Sequence, residues 1–265
     1  MAITTLDGAI AGMRPPEDFV KLGAATTAGR LYSPFYVGGR PGAAAAPSPG
    51  LSGAALTAYA GQIPFSNPGS GNSYLARLAA ECNVAGVLYL CDRLWHNSGI
   101  VVTSTSGQTI NSVAWPARDQ DGATDGDGIL IGLEVSTVMG AGTPNLTMAY
   151  TNQNGTSGRS SVTALPTTMA VGSFIPLLPL AAGDLGVRSI QTITLSATMT
   201  SGTMHLVAYR VLGRLPIILG NTGNWIDVVT AGFPRLYDNT VPFLLWLPAT
   251  TTAPVLNGHM IVTQG

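Results

Sequence analysis

The stretch Val187–Leu212, VRSIQTITLSATMTSGTMHLVAYRVL, restricts the fold more than any other part of the chain. Its two arms meet at Thr200-Ser201-Gly202 and are rich in Ile, Val, Thr and Tyr, which suit a pleated, half-buried surface. In the first arm Ile193, Leu195, Ala197 and Met199 share one parity, and Thr192, Thr194, Ser196 and Thr198 the other, which predicts one buried face. In the second arm Met204, Leu206, Ala208 and Leu212 alternate with His205, Val207, Tyr209 and Val211, so both faces carry apolar side chains. Such a strand is central in a sandwich or covered by a neighbouring subunit. The pair reads as a hairpin with the other strands laid against it.

From Gly86 onward the chain repeats this pattern. Strands are predicted over 86–93, 100–104, 108–113 and 129–136, then over 146–150 ahead of the Asn154-Gly155 turn, with a return from Val162. Pro176 and Pro179 confine 174–180 to a sheet edge or a crossover. Segments 216–219, 241–247 and 259–263 complete an all-β set of about ten strands. A β-sandwich, specifically a jelly roll, is the expected packing.

The first 76 residues read differently. Thr4 or Thr5 caps a short helix through Leu6 and Ile10, and Pro15-Pro16-Glu17-Asp18 opens another helical turn that Gly23 stops. Residues 41–76 contain no Asp, Glu, Lys or Arg. Their first part, PGAAAAPSPG, is too rich in proline for a regular element and reads as extended chain. Leu51, Leu56, Tyr59, Ile63 and Phe65 follow without helical or strand period, so they are expected to lie on a neighbouring subunit as an interface. Asn72-Ser73 then caps a helix over 74–81, with Leu75, Leu78, Ala79 and Cys82 at i, i+3, i+4 and i+7. The expected organisation is an N-terminal arm over 1–76 and a sandwich domain over 77–265.

Charge narrows the function. The chain has 12 basic and 13 acidic residues in 265, and Lys21 is its only lysine. That is 9% charged, against about 25% in ordinary soluble domains, so much of the surface is expected to be covered by protein. A membrane is the poorer cover, because Pro166, Pro176 and Pro179 break the uncharged run 160–183, which is long enough to span. The N-terminus lacks the basic and apolar regions of a secretory signal. A net charge of −1 without clustered Lys and Arg argues against nucleic acid. Cys82 and Cys91 are too sparse for a disulfide framework or zinc site and read as free thiols.

No catalytic or cofactor signature stands out. Asp119, Asp121, Asp125 and Asp127 cluster in RDQDGATDGDG, but Ala123 and Leu130 occupy EF-hand ligand positions, so a solvated loop is expected and no metal site. His96, His205 and His259 have no metalloprotease spacing, and Asp92 and His96 beside Trp95 lack a G-x-S-x-G elbow to present a nucleophile. Trp95, Trp115 and Trp225 are too scattered to argue a carbohydrate-binding platform.

SYLARLAAECNVAGVLYLCDRLWHNSGI (73–100) and RLYDNTVPFLLWLP (235–248), with PGAAAAPSPGLSGAAL (41–56), resemble virion structural proteins of tailed bacteriophages, over most of the chain. The resemblance implies a non-enzymatic, oligomeric particle component without cofactor. The expected role is capsid decoration or cement: a homo-oligomer, most simply a trimer, that binds the major capsid protein and stabilises a phage head. Its location would be the virion, assembled in the host cytoplasm. A tail, adaptor or fibre-base protein is the alternative, and a carbohydrate-binding host-recognition module a further one. A shell-forming protein of the usual phage fold would need a long helix, and the periodicity offers none.

Overall fold

The structure, a computed structural model, describes residues 3–228, 232 and 234–265. It is all-β with antiparallel sheets, as the alternation predicts, and has sixteen strands among the described residues rather than about ten. In chain order a short helix α1 (Leu6–Ala11) is followed by β1 (Glu17–Leu22), a 3₁₀ turn at Pro34–Tyr36, β2 (Gly39–Arg40) and β3 (Ala54–Ala55). Next come β4 (Ser73–Cys82), β5 (Gly86–His96), β6 (Gln108–Thr109), β7 (Leu130–Thr137), β8 (Asn145–Asn152) and β9 (Arg159–Ala164). The remainder are β10 (Phe174–Pro176), β11 (Val187–Leu195), β12 (Thr203–Ile217), β13 (Thr222–Asp227), β14 (Arg235–Leu236), β15 (Pro242–Pro248) and β16 (Val255–Gln264).

The chain forms two compact units, and their boundary does not fall at residue 76. The first unit comprises 1–45, 58–92 and 211–265, and the second 46–57 and 93–210. Strands β5 and β12 each contribute residues to both.

The first unit contains a sheet in the order β13-β4-β16-β1-β2, with β14 also on β4. β15 pairs with the opening of β5, Trp246 opposite Leu88 and Pro248 opposite Gly86. Phe19, Leu78, Leu88, Leu90, Leu215, Trp246, Leu256 and Met260 form its core. Any Cβ at position 86 would collide with the Trp246 ring and the Leu247 carbonyl, so glycine is required where the indole crosses the strand.

Two predicted helices are strands here. Residues 17–22 alternate, with Phe19 and Lys21 inward, and pair with β16, because the interior of a sandwich selects period two over a weak helix-start signal. Segment 73–82 mimics a helix through a β-bulge. Arg77 pairs with Ile261 and Leu75 with Val262, leaving Ala76 as an extra residue. The bulge puts Leu75 and Leu78 on the same buried side, after which Ala80 and Cys82 follow at period two. The helix over Leu6–Ala11 does form, with the Thr5 hydroxyl accepting from the Gly8 N–H at 3.0 Å.

The second unit is a sandwich. One sheet is β6-β11-β8-β9; the facing layer holds β10, β7, β12 and the end of β5, with β3 on that end. Leu94, Trp95, Ile131, Leu133, Leu146, Met148, Ile193, Leu195, Met204 and Leu206 fill the space between. The expected hairpin at Thr200-Ser201-Gly202 is instead a crossover, since β11 pairs with β8 and β6 while β12 pairs with β7. A hairpin would set Ile193 and Leu195 beside Met204 and Leu206 in one sheet. Crossing over places them face to face, which removes both apolar faces from water. The second arm is buried on both sides as its pattern predicts, including His205, Val207 and Tyr209. Residues 100–104, expected as a strand, form none, and β10 pairs with β7 alone, as an edge.

Candidate assembly interface

The five residues expected on a neighbouring subunit lie against their own chain. Leu51 packs on the core of the second unit. Leu56 is buried; its N–H donates to the Leu94 carbonyl at 2.8 Å, and its own carbonyl accepts from Arg118 Nη1 at 2.8 Å. Tyr59 stacks on Phe35 with centroids 5.7 Å apart, and its hydroxyl donates to the Ala45 carbonyl at 3.0 Å. Ile63 is 1% exposed in the core of the first unit, and Phe65 packs against that core. Lys21, itself buried, donates from Nζ to the carbonyls of Pro41 (2.8 Å), Gly42 (3.2 Å) and Val37 (3.4 Å). Burial pushes its pKa down to about 8. The segment is therefore not a free arm. It shows no period because its side chains enter the two cores singly, from loops.

Exposed large apolar side chains occur at several places, among them Leu6, Val138 and Leu185, and a group of them lies at one end of the first unit. There β4 ends at Cys82, β5 begins at Gly86, β12 ends at Ile217, β15 ends at Pro248 and β16 begins at Val255. Backbone bonds tie these ends together, Asn221 N–H to the Cys82 carbonyl (2.6 Å), Gly23 to Pro254 (2.7 Å), Gly29 to Pro248 (2.9 Å) and Ala249 to Ala85 (3.0 Å). Asn83 adds two more, donating from Nδ2 to the Ala253 carbonyl and accepting the Val255 N–H at Oδ1. The turn between β12 and β13 points Ile218 and Leu219 outward, 79% and 65% exposed. Asn221 takes a positive φ of 60° in that turn, and the Thr222 hydroxyl donates to the Leu219 carbonyl at 2.6 Å. Leu22 and Val255, exposed partners in the β1–β16 register, lie at the same end. Beneath Ile218 opens a hollow of about 570 Å³ lined by Val87, Pro216, Leu247, Pro248 and Ala249.

No Asp, Glu, Lys or Arg occurs in 22–29, 82–91, 216–226 or 247–258, the segments that build this end. Exposed apolar side chains set among uncharged segments are the kind of surface that interaction sites use. Covering Ile218, Leu219, Leu22 and Val255 would contribute roughly 1.5–3 kcal/mol each before association costs. Sequence reasoning passed over this end because its segments are far apart in the chain. The run Pro216–Leu219, apolar and adjacent to a Gly-Asn turn, was its one local signal.

The remaining constellations are structural. Asp119 is buried rather than solvated, and its carboxylate accepts from the N–H groups of Asp121 (3.1 Å), Ala123 (2.7 Å) and Gly126 (3.0 Å). Asp121 and Asp125 are exposed. Among the described residues no group of three or more His, Cys, Asp or Glu is placed to hold a metal. Cys82 and Cys91 are free and buried, with the Cys91 thiol pKa pushed up by burial. The Asp92 carboxylate accepts the Val241 N–H at 2.9 Å. Trp95 and Trp115 do meet, with centroids 5.1 Å apart, but inside the core of the second unit.

That unit also encloses an ionic network. Arg93 Nη2 lies 2.7 Å from Glu134 Oε2 with both side chains fully buried, and Arg93 Nε donates to His96 Nδ1 at 3.3 Å. His205, opposite Glu134 in the β7–β12 register, has Nε2 2.7 Å from Ser136 Oγ and Nδ1 3.0 Å from the Asn97 carbonyl. The Ser136–His205 spacing is that of a nucleophile and base, yet both ring nitrogens are engaged and the imidazole is 1% exposed. Burial holds both imidazoles neutral; for His96 the pKa falls to about 3, with Arg93 and His205 adding to the effect. The network locks register between β5, β7 and β12.

No family model and no curated protein matches the chain. Among the solved structures that align with it are particles and proteins of infectious bursal disease virus. The VP2 subviral particle of infectious bursal disease virus aligns at 10% identity over 96% of this chain and 80% of that one, with a TM-score of 0.21. The structure of the Gt strain of the same virus aligns at 10% identity over 95% and 80%, with a TM-score of 0.20. The T=1 particles derived from infectious bursal virus align at 9% identity over 95% and 77%, with a TM-score of 0.19. TM-scores this low establish no common fold.

Proposed function

We propose that this chain is a non-enzymatic structural component of a virus particle, and that it joins the particle through the charge-free end of its first unit. The observation that carries this reading is that end itself: Leu22, Ile218, Leu219 and Val255 are exposed there, Ile218 at the edge of an apolar hollow, in segments without charge. A polypeptide that lived alone in solution would be expected to place mixed charge there. The covering surface is protein, either a second copy or a neighbouring capsid subunit. The finer reading is a decoration or cement protein on a tailed-phage head, and its support is the resemblance of segments 41–56, 73–100 and 235–248. In that role the protein adds burial free energy across subunit boundaries and so resists pressure from within.

The test is the double substitution Ile218→Asp/Leu219→Asp, two turn residues whose exposure makes misfolding an unlikely result. Light scattering should find the wild-type chain oligomeric at micromolar concentration, and it should co-sediment with particles lacking it. The variant should keep its circular dichroism spectrum and lose self-association or attachment. If it retains both, the interface lies elsewhere and the proposal fails.

A further inference from the structure

The six-stranded sheet of the first unit carries a second surface of different chemistry. Alternation turns Leu78, Ala80, Leu256 and Met260 into the core and the other parity outward. In one cross-strand row Trp225 stands opposite Ala79, Ala79 opposite His259, and His259 opposite Asp18. In the next row Gly223 stands opposite Glu81 and Glu81 opposite Asn257. Ala79 and Gly223 are small, so the taller neighbours rim a shallow trough of about 360 Å³.

Trp225 is 54% exposed, whereas Trp95, Trp115 and Trp246 are at most 2% exposed. Its ring is held from one side by Arg77, whose guanidinium carbon sits 5.3 Å from the centroid. Asn257 Nδ2 donates to Glu81 Oε1 at 2.9 Å, which fixes both planar groups. Glu81, Asn257, Asp18 and His259 all line the trough. We infer that this trough is a binding site for a neutral oligosaccharide, with Trp225 stacking on the C–H face of one pyranose ring and Glu81, Asn257 and Asp18 bonding hydroxyls of the units that extend from it across the sheet.

Three features select this ligand class. An aromatic platform beside fixed, planar hydrogen-bonding groups matches a sugar, which has an apolar face and a polar edge. The lining holds the carboxylates of Asp18 and Glu81 and no Lys or Arg, which disfavours uronic or sialic acids. A protein-binding core would be depleted of Asp and Glu, and here Asp18 and Glu81 both line it. Sequence spacing could not show this, since residues 18, 81, 225 and 257 converge only through sheet register.

The experiment titrates the full chain with maltohexaose, cellohexaose, mannohexaose and chitohexaose, and with a hyaluronan hexasaccharide as the anionic control. Trp225 is the accessible indole, so its protection from iodide quenching reports occupancy. At least one neutral hexasaccharide should protect it and the control should not. By calorimetry Trp225→Ala should weaken that ligand at least about tenfold and Glu81→Gln should do likewise, with circular dichroism unchanged. Absence of protection by all four at 10 mM, about the weakest useful affinity, would overturn the site. So would unaltered binding in Trp225→Ala or preference for hyaluronan. Loss of particle attachment in Trp225→Ala without glycan binding would reassign the trough to a protein partner.

Discussion

Removing one member of the buried Arg93–Glu134 pair should be far more damaging than removing both. The two side chains are fully buried with 2.7 Å between Nη2 and Oε2. At an effective dielectric of about 20 their gross attraction is about 6 kcal/mol. Desolvating both ions costs several kcal/mol each, so the net contribution of the pair is small. Arg93→Met alone leaves the Glu134 carboxylate in the core without its cation, and Glu134→Leu strands the guanidinium. Each should destabilise by about 3–5 kcal/mol, while the double variant should lie within about 2 kcal/mol of wild type. The assay is urea denaturation followed by the fluorescence of Trp95 and Trp115, which sit in the core of the second unit. With a slope of about 3 kcal/mol/M, each single variant should lower the midpoint by about 1–1.7 M. A single-variant cost below about 1 kcal/mol, or a double variant as unstable as the two singles combined, would refute the electrostatic reasoning.

Asp119→Ala removes the acceptor for three backbone N–H groups and should cost about 2–4 kcal/mol in the same titration. Asp121→Ala and Asp125→Ala, at exposed positions, should stay within about 0.5 kcal/mol. Acid should weaken the second unit below neutrality: the unfolded chain protonates His96 near pH 6.5, whereas the folded chain resists until about pH 3. Between these values the unfolded state binds more protons, so stability is full above about pH 6.5 and falls as pH drops. His96→Gln should flatten that slope in urea titrations between pH 7 and 4. Deleting residues 1–70 removes Phe19 and Ile63 from a core, so the product should be unfolded by circular dichroism; a folded truncation would restore the arm reading.

Several elements were legible in the residues because their signals are local. The alternation read over 129–136 and 146–150, the Asn154-Gly155 turn and the Thr5 cap act within a few positions, and each forms, the two strands as Leu130–Thr137 and Asn145–Asn152. The buried Glu134 and Arg93 were not singled out, because a charge in a strand looks solvated until its partner 41 positions away is known. The end of the first unit that carries Ile218 and Leu219 shares that difficulty, being built from five separated strand ends.

What the sequence determined by itself is the class of the fold and the character of its surface. Period-two patterning admits only sheets, and 25 charges among 265 residues make a surface poor in charge. Tertiary structure decided which strands are neighbours. The arms of 187–212 parted into facing sheets because a sandwich buries both apolar faces, where a hairpin would have left them side by side. The bulge at Ala76 turned an apparent helix into a strand because the partner register, absent from local spacing, absorbed one extra residue. Pairing likewise drew Asp18, Glu81, Trp225 and Asn257 into one trough. Backbone hydrogen bonding between distant segments is blind to side-chain identity, so such placements follow from the packing of the whole chain and not from any segment of it.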